Sequence, residues 1–154
     1  MGVEIERKFL VCNDSWRESA DEGTAYEQGY LSSNRDCSIR IRIEGDQARL
    51  NIKSATLGII RQEFEYPIPV DEARELLERF CPDTVSKTRY LIPHAGKTWE
   101  LDVFDKANAG LVVAEIELEH EDEQPELPDW AGKEVSGDPR YYNTELSRHP
   151  FTRW

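Results

Sequence analysis

The chain has 154 residues, of which 38% are hydrophobic and 32% are charged, and this composition predicts one compact domain over residues 1–154. Its formal net charge of -12 argues against a partner of duplex nucleic acid, because proteins that bind duplexes present a clustered basic surface. No apolar run approaches the roughly 18 residues of a membrane span, so we also expect no membrane partner.

The cysteines indicate the redox environment. Cys12, Cys37 and Cys81 are odd in number, far apart and without C-x-x-C spacing, a pattern that favours neither a disulfide framework nor a zinc site. We therefore expect three buried thiols in a reducing compartment, and a cytoplasmic protein.

The first predicted strand, residues 3–12, carries Glu4, Glu6 and Lys8 at alternate positions. Strand side chains repeat with a period of two, so these three project from one face. Magnesium is held by one or two carboxylates together with phosphates and water, and a nearby lysine can neutralise phosphate oxygens. A single charged strand face is more typical of a sheet that is exposed to solvent. The hypothesis of a site for a metal and a phosphate therefore depends on whether other strands repeat the pattern.

A polar loop with a short helix at residues 15–20 follows, and the chain then alternates apolar and polar residues in several short runs. This alternation predicts seven further strands. They cover residues 26–32, 37–44, 48–54, 59–68, 85–92, 97–104 and 111–120.

Two helices interrupt or follow these strands. The apolar spacing of Ala73, Leu77 and Phe80 predicts an amphipathic helix over residues 70–80, with Asp71 as its N-cap. Residues 121–129 are acidic and contain two prolines, which indicates an exposed connection. Asp138, followed by proline, predicts the start of a second helix that ends near residue 147.

Charged residues occupy one face of nearly every predicted strand, and their sign is constant along most strands. Basic pairs lie at Arg40 and Arg42, at Arg49 and Lys53, and at Lys87 and Arg89; acidic sets lie at Glu63 and Glu65, at Glu100 and Asp102, and at Glu115, Glu117 and Glu119. Like charges two residues apart repel each other, and a shared ligand would compensate for that repulsion.

About eight strands can close into a barrel that encloses one small ligand. If the charged faces point inward, the apolar faces point outward and need a cover such as the helix at residues 70–80. The sequence thus predicts an α+β fold: an eight-stranded antiparallel β-barrel, or tunnel, with a charged interior and helices packed on the outside.

The ordered motifs along the whole chain resemble the CYTH domain of the triphosphate tunnel metalloenzyme superfamily, in its short bacterial form. The matching segments are E-I-E-R-K at 4–8, Q-G-Y-L-S at 28–32, S-I-R-I-R at 38–42, L-N-I-K-S at 50–54, R-Q-E-F-E-Y at 61–66, K-T-R-Y at 87–90, W-E-L-D-V-F at 99–104 and A-E-I-E-L-E at 114–119. The resemblance implies a tunnel that binds a triphosphate group together with Mg2+ or Mn2+.

The resemblance also implies roles for individual residues. The implied metal ligands are Glu4, Glu6, Glu115, Glu117, Glu119 and Asp102, the last of which could alternatively hold basic residues in place. The implied phosphate-binding residues are Lys8, Arg40, Arg42, Lys53, Lys87, Arg89 and Lys133. The candidate catalytic carboxylates are Glu63, Glu65 and Glu117, one of which would orient the attacking water.

The function that this resemblance implies is metal-dependent hydrolysis of inorganic tripolyphosphate to diphosphate and phosphate, with ATP as a weaker substrate. Its small-molecule partner is a triphosphate, and we expect a monomer or a homodimer. Three alternatives stay open: a class IV adenylate cyclase, a thiamine triphosphatase, and a polyphosphate-binding module without catalysis.

Overall fold

The computed structural model describes residues 2–34, 36–54 and 59–154; Met1, Arg35 and residues 55–58, which fall within the predicted domain 1–154, lie outside the described part. Within the described residues there are nine strands and two α-helices. In chain order they are β1 Gly2–Val11, β2 Thr24–Ser33, β3 Cys37–Glu44, β4 Gln47–Ser54, β5 Ile60–Ile68, α1 Val70–Phe80, β6 Thr84–His94, β7 Lys97–Phe104, β8 Val112–Glu117, β9 Ala131–Glu134 and α2 Asn143–Arg148.

Eight strands form a closed antiparallel barrel in the order β1, β8, β7, β6, β2, β3, β4, β5. The barrel closes because β5 pairs with β4 on one side and with β1 on the other, where residues 2–5 face residues 60–63. β9 joins the same edge of β1 further along, with Phe9 opposite Glu134. The predicted eight-stranded barrel is confirmed, whereas β9 was not predicted.

Helix α1 covers the outer face of β3 and β4. Ile41 and Ile43 from β3 form one buried cluster with Ala73 and Leu77 from α1, as expected for an apolar face turned away from the tunnel. The helix approaches β2 closely at Gly29, where an added Cβ would lie 2.7 Å from the Cβ of Cys81. Only glycine leaves room for this contact, so it sets the distance between helix and barrel.

A second apolar cluster covers the outer face of β1, β6, β7 and β8. Trp99 lies at its centre and packs edge-on against Phe9 and Trp130, with ring centroids 5.6 and 5.5 Å apart. Trp16, from a short 3-10 helix at Ser15–Glu18, seals the same cluster. On this side, connecting segments rather than an α-helix supply the outer cover.

A third cluster closes one end of the tunnel. Val85, Phe104 and Val113 have the same strand parity as the charged tunnel residues, yet they pack against Tyr141 and Leu146 of the C-terminal segment. The barrel is therefore open to solvent at one end and filled with apolar side chains at the other.

Some details differ from the sequence-based expectation. Pro69, not Asp71, occupies the N-cap of α1, so Asp71 lies in the first turn. The predicted helix from Asp138 is divided into a 3-10 turn at Pro139–Tyr141 and the short α2. Cys81 is buried as expected, but Cys12 is exposed at the end of β1, where the strand leaves the barrel. None of the described helices is long and apolar enough to span a membrane.

Candidate active site

A cavity of about 370 Å³ lies inside the barrel, and all eight barrel strands contribute to its wall. Its lining is almost entirely polar or charged, because the inward positions of each strand carry the charges seen in the sequence. The basic residues of its wall are Lys8, Arg40, Arg42, Arg49, Lys53, Arg61 and Arg89. The acidic residues of its wall are Glu4, Glu6, Glu44, Glu63, Glu65, Glu100, Glu115 and Glu117.

Strand pairing brings four carboxylates together on β1 and β8. Glu6 lies opposite Glu117, and Lys8 lies opposite Glu115. Burial and the neighbouring carboxylate of Glu115 raise the pKa of Glu6 well above its ordinary value. Burial and then Glu4 raise the pKa of Glu117 as well. This end of the wall therefore holds more negative charge than its own surroundings neutralise.

Two lysines partly balance this acidic cluster. Lys53 Nζ lies 2.7 Å from Glu4 Oε2 and 3.7 Å from Glu63 Oε2. Burial opposes ionisation of Glu4, but Lys53 outweighs it and lowers the pKa of Glu4. Lys8 Nζ lies 3.6 Å from Glu115 Oε1 and donates a 3.0 Å hydrogen bond to the carbonyl of Tyr141. Both lysines thus lie next to carboxylates of the cavity wall.

Arg89 and Lys87 form a buried ion-pair network with Asp102. Arg89 donates to Asp102 through Nε at 2.7 Å and Nη2 at 2.9 Å, and to Glu100 through Nη1 at 2.8 Å. Lys87 Nζ lies 2.7 Å from Asp102 Oδ2 and donates to Asn143 Oδ1 at 3.3 Å. Burial opposes ionisation of Asp102, but Arg89 and Lys87 outweigh it and lower its pKa.

Glu63 and Glu65 are held by neighbours on β4. Asn51 Nδ2 donates to Glu63 at 3.1 Å and to Glu65 at 3.2 Å, and Arg49 donates to Glu65 at 3.3 Å. Glu65 Oε2 also lies 3.9 Å from Arg40 Nη2. These two carboxylates therefore contact the basic residues on either side of them.

The structure brings most of the predicted site residues to the cavity, but four lie away from its wall. Lys133 is exposed on β9, which pairs with the edge of β1. Glu119 is exposed because β8 ends at Glu117 and the chain then turns, with the Glu119 N–H donating to Glu123. Lys87 and Asp102 point inward but are only 1% and 0% exposed; they are bonded to each other and do not line the cavity.

Several cavity residues were not among the predicted ones. Arg49, Asn51 and Arg61 share the inward parity of their strands, so the alternation already indicated them. Tyr26, Tyr30 and Ser38 also share it, but as uncharged residues they carried no charge signal. Tyr142, Asn143 and Thr144 come from the C-terminal segment, where no strand alternation marks which residues face inward.

The carboxylates Glu4, Glu6, Glu115 and Glu117 have the donor chemistry that a hard divalent cation prefers. Within the described residues no group of three or more such side chains is already drawn together as metal ligands. Ion pairs keep these carboxylates apart, because Glu4 is held by Lys53 and Glu115 is oriented towards Lys8. The crowded negative charge that raises the pKa of Glu6 would be relieved by a cation, so the residues fit such a group.

Known proteins are similar to this chain in sequence and in architecture. The model of the CYTH domain family matches residues 2–142. The inorganic triphosphatase of Acetivibrio thermocellus is 47% identical over 152 residues, which cover 98% of this chain and 97% of that protein. The inorganic triphosphatase of Nitrosomonas europaea is 36% identical over 150 residues, covering 94% and 97%. A crystal structure described as an inorganic triphosphatase matches with a TM-score of 0.67 and 33% identity, covering 96% of this chain and 95% of that one.

Proposed function

Because the chain belongs to the CYTH domain family, we propose that it hydrolyses inorganic tripolyphosphate to diphosphate and phosphate with the help of Mg2+ or Mn2+. The observation that carries this proposal is the cavity of about 370 Å³, whose wall contains both basic and acidic side chains. The oxygens of a triphosphate need the basic side chains, and a divalent cation needs the carboxylates. The names of the two relatives, both inorganic triphosphatases, support the same substrate.

In this proposal the cations of the cavity bind non-bridging phosphate oxygens. Arg40 and Arg42 on β3 and Lys53 on β4 reach the cavity from neighbouring strands, and Lys8 and Arg89 reach it from β1 and β6. Guanidinium and ammonium groups neutralise the charge of the bound triphosphate and of the diphosphate that leaves. Lys87 and Asp102 contribute indirectly, since Asp102 accepts a hydrogen bond from Arg89 and another from Lys87.

Glu4, Glu6, Glu115 and Glu117 would hold the divalent cation, which supplies charge screening and Lewis acidity when it is bound. Among the described residues, the side chain of Glu117 forms no hydrogen bond and no ion pair within 4.0 Å, and its pKa is raised by burial and then by Glu4. A carboxylate without a partner beside the proposed cation is suited to orient the attacking water through a hydrogen bond. Glu63 and Glu65 are already engaged by Asn51 and instead orient Lys53 and Arg40.

A substrate panel tests the proposal. The protein is incubated with tripolyphosphate, ATP and thiamine triphosphate in Mg2+, Mn2+ or Ca2+, and orthophosphate and cyclic AMP are both measured. We expect the highest kcat/KM for release of orthophosphate from tripolyphosphate, with Mg2+ or Mn2+. Cyclic AMP without phosphate release would instead identify a cyclase, and preference for thiamine triphosphate would identify a thiamine triphosphatase.

A pair of variants separates catalysis from simple binding. Glu4→Gln and Glu6→Gln keep the size of each side chain but remove a negative charge from the proposed cation site. We expect both to lose metal-dependent turnover, while tripolyphosphate still binds in the presence of EDTA. If the wild-type protein binds tripolyphosphate but hydrolyses none of the panel with any of the cations, the binding-module alternative is correct.

A further inference from the structure

Strand β2 lies between two of the basic strands of the barrel, β3 and β6, and brings no charge of its own to the tunnel. It pairs with β3 on one side and with β6 on the other. Its inward residues are Tyr26, Gln28 and Tyr30, all neutral. An inward-facing strand without charge, between strands that carry Arg42 and Arg89, needs a physical explanation.

Tyr26 lies between the guanidinium groups of the two flanking strands. The Cζ atom of Arg42 lies 4.9 Å from the centroid of the Tyr26 ring, and the Cζ atom of Arg89 lies 5.0 Å from it. The Nζ atom of Lys87 is 5.9 Å away. All three distances are within the range in which a cation is attracted to the face of an aromatic ring. One neutral side chain therefore contacts three cations from two strands.

These cations repel one another. Burial, followed by the charges of Arg40 and Arg89, lowers the pKa of Arg42 to about 10. Arg42 is only 9% exposed, so water screens this repulsion poorly. The close approach of Arg42 and Arg89 therefore requires a stabilising partner inside the wall.

The two arginines differ in how their N–H groups are used. Arg89 donates Nε, Nη1 and Nη2 to Asp102 and Glu100. Among the described residues, Arg42 donates a single hydrogen bond, from Nε to the Gln28 amide oxygen at 3.0 Å, and its closest carboxylate oxygen, on Glu44, is 3.9 Å away. Both terminal amino groups of Arg42 thus stay available to a ligand.

A partner for Arg42 in this position must stabilise positive charge without occupying those amino groups. A carboxylate would accept their hydrogen bonds and compete with phosphate. An aromatic ring contacts the face of the guanidinium and leaves the in-plane N–H groups free. Tyr26 has the required chemistry, and Tyr26 lines the cavity beside the groups that it contacts.

We propose that Tyr26 is a positioning residue that stacks on Arg42 and Arg89 and holds them side by side, with the free N–H groups of Arg42 directed to the phosphates. This inference rests on the proposed triphosphate function. Tyr26 acts through the ring and not through the hydroxyl, for which the described residues offer no hydrogen-bond partner.

Variants at position 26 test the ring directly. Tyr26→Phe keeps the ring, Tyr26→Leu removes it but keeps apolar volume, and Tyr66→Leu is a matched control at an exposed tyrosine outside the cavity lining. We measure KM and kcat for tripolyphosphate, the dissociation constant of tripolyphosphate in EDTA by calorimetry, and the thermal midpoint. We expect Tyr26→Phe and Tyr66→Leu to match the wild-type protein within about twofold, whereas Tyr26→Leu raises KM and the dissociation constant about tenfold.

A change in fold alone would give a different result, namely a lower thermal midpoint and a lower kcat with an unchanged KM. Equal values for Tyr26→Leu and Tyr26→Phe would overturn the proposal. To avoid dependence on the folding of Tyr26→Leu, phenylalanines with one, two or three ring fluorines are also incorporated at position 26. Each fluorine weakens the negative ring face with little change in shape, so KM should rise in that order, and a flat series also overturns the proposal.

The design separates this inference from the function on which it rests. If the wild-type protein neither binds nor hydrolyses tripolyphosphate, the proposed function is wrong. If the wild-type protein does both and the fluorinated series is flat, the function stands and only the role of Tyr26 is wrong.

Discussion

Two basic regions of the barrel, on β6 and on β3, stabilise buried positive charge in opposite ways. On β6, Lys87 and Arg89 are tied by short hydrogen bonds to Asp102. On β3, Arg40 and Arg42 are 7% and 9% exposed, but their nearest carboxylate oxygens are 3.9 Å away. Both regions are buried, yet only the first is neutralised by the protein itself.

This difference indicates different roles for the two strands. The cations on β6 donate most of their hydrogen bonds to carboxylates of the protein and form a rigid frame, whereas those on β3 keep hydrogen-bond donors that a ligand can use. The Nε atom of Arg40 illustrates the second condition, since it is buried without a hydrogen-bond partner among the described residues. An unsatisfied buried donor costs stability, and a polyanionic ligand would recover that cost.

We expect the largest effect, a loss of stability, from removal of Asp102, the carboxylate that neutralises Lys87 and Arg89. Asp102→Ala leaves Lys87 and Arg89 buried without their shared carboxylate, and breaking such a pair costs about 3 to 5 kcal/mol. Urea unfolding measures this loss. The control is Glu100→Ala, which removes a more exposed partner of Arg89 and should cost clearly less. Equal losses would show that the buried network does not differ from a surface pair.

The opposite behaviour is expected on β3. Arg40→Met should lower kcat/KM for tripolyphosphate by roughly ten- to hundredfold, the loss of about 1.5 to 3 kcal/mol of charge-assisted hydrogen bonding. Its free energy of unfolding should stay within about 1 kcal/mol of wild type, because repulsion from Arg42 and an unpaired donor disappear together. A large loss of stability would contradict the division between frame and ligand-binding cations. Arg79→Met on the exposed face of α1 is the control.

The contribution of Lys87 to the free energy of unfolding should depend on pH. Burial is the main cause that lowers the pKa of Lys87 to about 7, from 10.5 in the unfolded chain. Between these values the unfolded chain binds more protons than the folded one, so the folded state gains stability as the pH rises from about 7 to 10.5. Relative to Lys87→Met, the wild-type free energy of unfolding should therefore rise by up to about 1.4 kcal/mol per pH unit. A constant difference between the two proteins from pH 7 to 10 would contradict this.

The smallest effects are expected outside both regions. Lys133 and Glu119 are exposed and lie away from the cavity wall. We expect Lys133→Ala and Glu119→Ala to change KM for tripolyphosphate less than about twofold and to leave the urea midpoint nearly unchanged. A larger change in KM for either variant would place that residue in the site and enlarge the binding region beyond the barrel interior.

Strand parity explains how much could be predicted from the sequence. Because a closed barrel has an inside and an outside, charges at every second residue mark the inward face, and this signal identified all eight barrel strands. It also placed Glu4, Arg40 and Lys53 in one site although they lie on different strands. Short β9 has no such alternation, and the inward residues of the C-terminal segment, such as Tyr142, follow no strand period at all.

Parity cannot show how deep a residue lies along the tunnel. Lys87 and Arg89 share one face of β6, but Lys87 pairs with Phe104 near the apolar end, while Arg89 pairs with Asp102 nearer the cavity. The depth follows from the register of neighbouring strands, which depends on contacts far apart in the chain. For this reason the sequence could not show that Lys87 lies outside the cavity lining, bonded to Asp102.

The pairing of β1 has a consequence for how the chain folds. This strand lies opposite three partners from distant parts of the sequence, with Glu4 facing Arg61, Glu6 facing Glu117 and Phe9 facing Glu134. Pairing between such distant segments is slow, since the entropy of closing a long loop must be lost before any contact forms. Pairing of β1 both closes the barrel and brings Glu4, Glu6 and Lys8 to their partners, so a chain in which β1 is unpaired has no assembled site.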